Sequence, residues 1–216
     1  MSVRAVLFDL DGTLADTAPD LAAALNLLRV ESGLEPLPPD AMRAYTSSGA
    51  RGLLGIGFGI SREDARYGSL KERFLDLYAE GLCIHTRLFE GIPELLERIE
   101  SLNLAWGIVT NKAMRFTDPL VKKLKIAHRA RCIVSGDTTA KTKPHPDSLL
   151  HATRALGIAP DRCLYIGDDL RDVQAARSAG MAVLAAAYGY LGADGNPHHW
   201  QADAVIAHPL DALTYL

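Results

Sequence analysis

At 216 residues the chain is long enough to bury a real core, either as one domain with an insertion or as two small domains. Its 48% apolar and 23% charged content is that of an ordinary soluble globular protein, and a formal net charge of −3 gives no reason to expect nucleic acid or an anionic membrane as partner. No apolar run approaches the ~20 residues of a membrane span, the amino terminus leads straight into a strand pattern rather than a signal peptide, and the scattered Cys83, Cys132 and Cys163 have no pairing or metal spacing, as expected of reduced thiols in the cytoplasm.

The first predicted element is a buried strand over Val6, Leu7 and Phe8, which Gly12 breaks with a turn. From Thr17 to about Leu82 apolar residues recur at helical spacing with no convincing strand. Pro19 opens one helix through Leu21, Ala24, Leu25 and Leu28; Leu53 and Leu54 suggest a looser second; Leu70, Phe74, Leu77 and Tyr78 make a third. From about Leu88 onward the pattern alternates. Helices are expected over 92–99, 116–124, 147–156 and 173–179, and strands over 104–109, 132–134, 163–166 and 181–186. Such alternation implies an α/β fold with a parallel sheet and helices on both faces. The helical stretch, roughly 65 residues, is too long for an ordinary βα connection and reads as an insertion after the first strand.

Chemistry gathers at the strand ends. Asp9 and Asp11 follow the first strand, and side chains at i and i+2 of an extended chain share a face, roughly 6–7 Å apart. That separation suits one carboxylate attacking a phosphorus atom while the other protonates the departing oxygen; the plainer reading is a capped Asp-Gly turn. Thr110 and Asn111 end the next long strand, Lys143 precedes a Pro-flanked turn into a helix, and Gly167-Asp168-Asp169-Leu170-Arg171-Asp172 follows another apolar run. Lys141 competes with Lys143 for the same role. The histidines show no metal-ligand spacing, and His145 fits a surface turn.

These four pieces, in this order, resemble the haloacid dehalogenase superfamily of phosphatases over nearly the whole chain. The resemblance implies a Rossmann-like core, residues 1–15 and 83–216, with an inserted all-helical cap of the C1 type, residues 16–82. It implies that Asp9 is a nucleophile forming an aspartyl-phosphate, and that Asp11 is the general acid and base. An aspartate at position 11 goes with phosphate rather than carbon–halogen chemistry in this family. So many carboxylates near a dianionic ester call for a hard cation, Mg²⁺, with Asp9, the Asp11 carbonyl and Asp168 as its ligands and Asp172 orienting them. Asp169 fits either a helix N-cap or a catalytic role. Thr110 and Asn111 would bind the phosphoryl group, and Lys143 would supply charge to it.

The expected partner is a small phosphate ester. The chain is similar to the phosphoglycolate phosphatase group through Phe8 to Leu14 and Asp16-Thr17-Ala18-Pro19-Asp20. Its second half is similar to N-acetylmuramic acid 6-phosphate phosphatases. Trp106-Gly107-Ile108-Val109-Thr110-Asn111-Lys112, Gly167 to Asp172, Tyr188-Gly189-Tyr190, Asn196-Pro197 and Trp200 carry that likeness, with a departure at Ala113 where proline is expected. Both substrates carry a carboxylate. Within Ser47-Ser48-Gly49-Ala50-Arg51-Gly52, Arg51 is a candidate to pair with it, and equally a solvated helix residue. A sugar-phosphate mutase of the same family is the alternative activity. A receiver-type signalling module is a second alternative, but at ~120 residues it has no room for a cap.

Overall fold

The computed structural model describes residues 2–192 and 195–216; residues 1, 193 and 194, which the sequence reading assigns to the core, lie outside them. The chain begins with β1 (Ala5–Phe8) and β2 (Ala15–Asp16), then runs through four helices, α1 (Ala18–Glu31), α2 (Pro39–Arg43), α3 (Gly49–Phe58) and α4 (Tyr67–Glu80). It returns through β3 (Arg87–Leu88) to α5 (Ile92–Ser101), β4 (Ala105–Val109), α6 (Met114–Lys123) and β5 (Cys132–Val134). The last part comprises α7 (Asp147–Leu156), β6 (Cys163–Gly167), α8 (Leu170–Ala179), β7 (Ala182–Ala186) and β8 (Ala204–Ile206), with a 3₁₀ segment over Pro209–Tyr215.

Six strands form one parallel sheet in the order β5-β4-β1-β6-β7-β8. Successive side chains of a strand point to opposite faces, and β1 shows what that does here. Val6 and Phe8 enter a core shared with α5, α6 and the inserted helices, while Ala5 and Leu7 enter a second core with α7 and α8. With both faces covered, the central strands read as continuous apolar runs, which is why the sequence announces them.

The insertion is tied at its root. β2 and β3 pair antiparallel, so the chain leaves for the helices and comes back side by side. Buried Asp20 fastens the return, accepting from the backbone N–H groups of His85 (2.8 Å) and Thr86 (3.0 Å) and from the Thr86 hydroxyl (2.6 Å). Thr17 is the N-cap of α1, but its hydroxyl is engaged elsewhere. The Tyr190 phenol oxygen accepts the Thr17 and Ala18 N–H groups instead, at 2.7 and 2.9 Å, meeting the orphan donors of the helix start from the far end of the chain.

The structure adds α2 and extends the sequence-based elements in four further places. The ribbon β2–β3 and strand β8 have only two or three residues each, too few to set up a period. α8 starts at Leu170 rather than Val173 because Asp169 and Asp172 form a capping box that organises a polar first turn. The looser second helical piece is regular from Gly49 to Phe58, ended by Gly59 in the left-handed region at φ 64°.

Candidate active site

Phe8 pairs with Ile108 on one side and Ile166 on the other, so the residues just beyond these strands lie side by side at the carboxyl edge of the sheet. The order reverses around β1, which opens the crevice where ligands bind in such sheets. Asp9, Asp168 and Asp172 each bring a carboxylate oxygen to within 4.8 Å of one another there. Asp168 is held from both sides, by the Thr13 hydroxyl on Oδ1 and the Tyr190 N–H on Oδ2, each at 2.9 Å. Main chain packs directly on it. Gly12 has φ +87°, and a Cβ there would stand 2.2 Å from Asp168 Oδ2. Gly12→Ala is therefore expected to cost about 1–3 kcal/mol of stability and to depress turnover by displacing Asp168. A melting curve and a rate both equal to wild type would contradict this packing.

Lys143 lies at the centre of the polar floor. Its ammonium donates to the Val109 carbonyl (3.0 Å), the Tyr165 hydroxyl (2.8 Å) and Asp172 Oδ1 (2.6 Å). An ammonium has three protons, so all are committed. Asp9 Oδ1 lies 2.9 Å from the same nitrogen as an ion pair, yet it is buried and receives no hydrogen bond of regular geometry among the described residues. Lys143 thus gives Asp9 charge while leaving its lone pairs free. Burial opposes the charge on Lys143, but Asp172 and Asp9 outweigh it and raise its pKa. Burial pushes the Asp9 carboxyl up to about 7, helped by Asp172 and Asp11 and opposed by Lys143. Asp168 is raised well above its ordinary value by burial and then by Asp9 and Asp172. Lys141, the competing lysine, is exposed, as is His145.

Asp11 has its own cation. Lys112, with a side chain only 8% exposed, donates to Asp11 Oδ1 at 2.8 Å, and the Thr17 hydroxyl donates to the same oxygen at 2.6 Å. Burial disfavours the Lys112 charge, but Asp11 more than compensates and the pKa is raised. The Lys112 nitrogen also lies 4.7 Å from the Tyr78 ring centre on α4, so inserted helix and core meet at the Asp11 carboxylate. Neighbouring Asp16 accepts on both carboxylate oxygens from one guanidinium nitrogen of Arg43 on α2 (3.0 and 2.9 Å) and also accepts from the Tyr190 hydroxyl (3.0 Å). Sequence reading assigned no role to Lys112, Tyr165 or Arg43. The one local signal was Lys112 directly after Thr110-Asn111.

The remaining candidates divide. Thr110 is buried at the end of β4; its oxygen accepts the Lys112 N–H at 3.1 Å, leaving its own proton to donate. Asn111 reaches the cavity wall, but its side-chain amide is taken up by the Lys143 main chain, donating to its carbonyl and accepting its N–H at 3.0 Å each. That clasp positions Lys143 and leaves the second amide proton of Asn111 uncommitted at the cavity wall. Asp169 is the N-cap of α8 and a chelating partner of Arg171, at 2.8 Å on each oxygen. Arg171 also donates to the Ser47 carbonyl, joining core to insertion. Of the two readings of Arg51, its position favours the solvated helix residue: it is exposed on α3 and is not among the residues lining the cavity, although Ser47, Ser48, Gly49 and Ala50 are. With Leu53 and Leu54 facing the core and Ala50 the cavity, helical geometry turns Arg51 outward.

The cavity over this floor measures about 560 Å³ and is walled by the inserted helices. Its charges are segregated. Asp9, Asp11, Asp168, Asp169 and Asp172 face three floor cations, Lys112, Lys143 and Arg171, which leaves a formal excess of two negative charges. A divalent cation fits that excess, and an all-carboxylate donor set with one orphaned buried oxygen, Asp9 Oδ1, fits a hard one. Within the trio, Asp172 already accepts from Lys143, from Tyr165 (3.2 Å) and from the Asp169 N–H (3.1 Å). Asp9 and Asp168 keep the freer lone pairs.

Three comparisons bear on this arrangement. The sequence model of the family described as haloacid dehalogenase-like hydrolase matches residues 6–186. An N-acetylmuramic acid 6-phosphate phosphatase of Pseudomonas aeruginosa is 44% identical over 100% of this chain and 96% of its own length. A phosphoglycolate phosphatase of Xanthomonas campestris pv. campestris is 41% identical over 95% of this chain and 93% of its own. Among solved structures, one described as a predicted phosphoglycolate phosphatase from Haemophilus somnus superposes with a TM-score of 0.88 at 26% identity, covering 100% of this chain and 98% of that one.

Proposed function

The chain belongs to the haloacid dehalogenase-like hydrolase family and is a phosphatase within it, and from that premise we propose that it hydrolyses N-acetylmuramic acid 6-phosphate with the help of Mg²⁺. The observation that carries the substrate is the cavity. Its volume of about 560 Å³ falls within the ~300–1,000 Å³ that sites for drug-sized ligands occupy, whereas a two-carbon ester would leave most of it wet. Two buried hydroxyls of residues on its wall, Ser47 Oγ and Tyr78 Oη, have no hydrogen-bond partner among the described residues. A sugar has hydroxyl and amide groups to offer them, and 2-phosphoglycolate has none to spare. 2-Phosphoglycolate remains the second reading because relatives of about equal identity bear that name.

In the proposed reaction an Asp9 carboxylate oxygen attacks phosphorus and the P–O bond to the sugar breaks. The departing alkoxide takes a proton from Asp11. Two donors already occupy Asp11 Oδ1, so the transferable proton belongs on Oδ2. Water then attacks the aspartyl-phosphate, Asp11 takes its proton, and Asp9 is released with inorganic phosphate. Thr110 donates its hydroxyl proton to a phosphoryl oxygen, and the nearby charge of Lys143 favours charge building on the transferring group. Mg²⁺, held by Asp9, Asp168 and the Asp11 carbonyl, would neutralise the floor and the phosphate dianion. Asp172 anchors Lys143 and orients this set.

Residues 16–82 are proposed as the cap and 1–15 with 83–216 as the core; the ribbon β2–β3 at the root of the helical insertion supports that division. Among the described residues no helix is long and apolar enough to cross a membrane. The unpaired Cys83, Cys132 and Cys163 support a reducing, cytoplasmic setting.

The test is kcat/KM across a panel holding N-acetylmuramic acid 6-phosphate, 2-phosphoglycolate and p-nitrophenyl phosphate. The sugar acid should lead. Chelation should abolish turnover of all three, with Mg²⁺ restoring it and Ca²⁺ failing to, since Ca²⁺ takes more ligands at longer distances. Full activity after exhaustive chelation would remove the metal from the account.

A further inference from the structure

The floor cations are all paired, but the cavity wall carries three more that are not. Arg62, from the loop between α3 and α4, Lys71 on α4 and Arg115 in the first turn of α6 all line the cavity, and none has a carboxylate partner or hydrogen bond among the described residues. Every other cation on that wall is neutralised: Lys112 by Asp11, Lys143 by Asp9 and Asp172, Arg171 by Asp169. Arg115 is also pre-shaped, its guanidinium lying 4.5 Å from the Phe116 ring centre.

Helix α4 sets a scale. Lys71, Phe74, Leu75 and Tyr78 line the cavity at i, i+3, i+4 and i+7, which is one face of a helix. Tyr78 marks the reaction end, where its ring meets Lys112 and hence Asp11. Lys71 is seven residues earlier, about 10 Å along the axis, and the lean of side chains toward the helix N-terminus carries its ammonium further still. Between them runs an apolar strip, Phe74 and Leu75, suited to the carbon face of a sugar ring.

We infer that Arg62, Lys71 and Arg115 form a carboxylate subsite that reads the substrate at the end remote from the phosphate. This rests on the phosphatase reading above and sharpens it. A carboxylate one carbon from the ester oxygen cannot reach from the floor to Lys71. The acid of a muramic acid 6-phosphate stands across the ring from its phosphate, so it can. The subsite therefore selects by separation of charges rather than by charge alone, and both candidate substrates being carboxylates ceases to make them equivalent.

The experiment pairs N-acetylmuramic acid 6-phosphate with N-acetylglucosamine 6-phosphate, which lacks the acid. Wild-type protein should prefer the carboxylated sugar. In Arg62→Ala/Lys71→Ala, and separately in Arg115→Ala, the ratio of the two kcat/KM values should fall about ten- to a hundredfold, chiefly through KM, the loss expected for charge-assisted contacts. All three residues are exposed, so the variants should fold, and Arg51→Ala, which faces away from the cavity, should keep the wild-type ratio. An unchanged ratio in both variants, or no preference in wild type, overturns the subsite while leaving the phosphatase standing. Failure of the substrate reading looks different: wild-type protein would then turn over 2-phosphoglycolate and neither sugar, overturning both.

Discussion

Asp9→Asn is expected to lower kcat by about four orders of magnitude while leaving the fold intact. The amide fills nearly the same space, and its position between β1 and the floor makes no demand on stability that an amide cannot meet. Among the described residues Asp9 Oδ1 receives no hydrogen bond, so no donor is orphaned by the change. What disappears is the anionic nucleophile and one donor to the cation. The near charge of Lys143 then has Asp172 alone to answer it. A correctly folded variant, judged by circular dichroism and melting, that kept more than about a hundredth of wild-type kcat would move the nucleophile elsewhere.

Lys143→Met is expected to damage both rate and stability, and so separates a structural charge from a catalytic one. The side chain is 2% exposed and Asp172 likewise, so truncation leaves a buried carboxylate without its cation. Breaking one partner out of a buried pair costs about 3–5 kcal/mol. For a chain of this length that is a melting point lower by roughly 6–20 °C. Turnover should fall about a hundred- to a thousandfold beyond any unfolded fraction, because charge beside the transferring group is lost. The measurement is kcat at a temperature where the melt shows the variant fully native. An unchanged melting point would mean that the Lys143, Tyr165 and Asp172 network is not holding the floor together.

The parts of this protein that local pattern could announce were those buried on both faces or built on one helix period. β1, β4 and β6 are such strands, and Phe74, Leu77 and Tyr78 on α4 make such a stripe. Asp9, Thr110 and Asp168 were legible because each follows one of those runs, and Lys143 because it precedes a Pro-flanked turn into a helix; the sheet brings the strand ends together. What escaped was what depends on partners far off in sequence. Lys112 meets Asp11 across 101 positions, and Tyr190 caps α1 across 173. No window along the chain contains either pair.

Arg51 shows a different limit. Small residues around it marked a wall that does line the cavity, but the direction of one side chain on α3 depends on which face packs, and Leu53 and Leu54 decide that. Arg62, Lys71 and Arg115 sit in stretches that read as ordinary solvated charge. Only the folded chain shows that they share a wall with Tyr78. Asn111 was found by its place after Thr110, yet its amide serves the Lys143 backbone, a contact across 32 positions.

If Asp9 carries the phosphoryl group in mid-reaction, the acyl phosphate can be caught. Borohydride reduces an aspartyl-phosphate to homoserine, so protein quenched during turnover of N-acetylmuramic acid 6-phosphate with Mg²⁺ can be reduced, digested and mapped by mass. Homoserine is expected at position 9, absent without substrate and absent in Asp9→Asn. Homoserine at position 11 or elsewhere, or turnover with no reducible acyl phosphate at all, would contradict that role for Asp9.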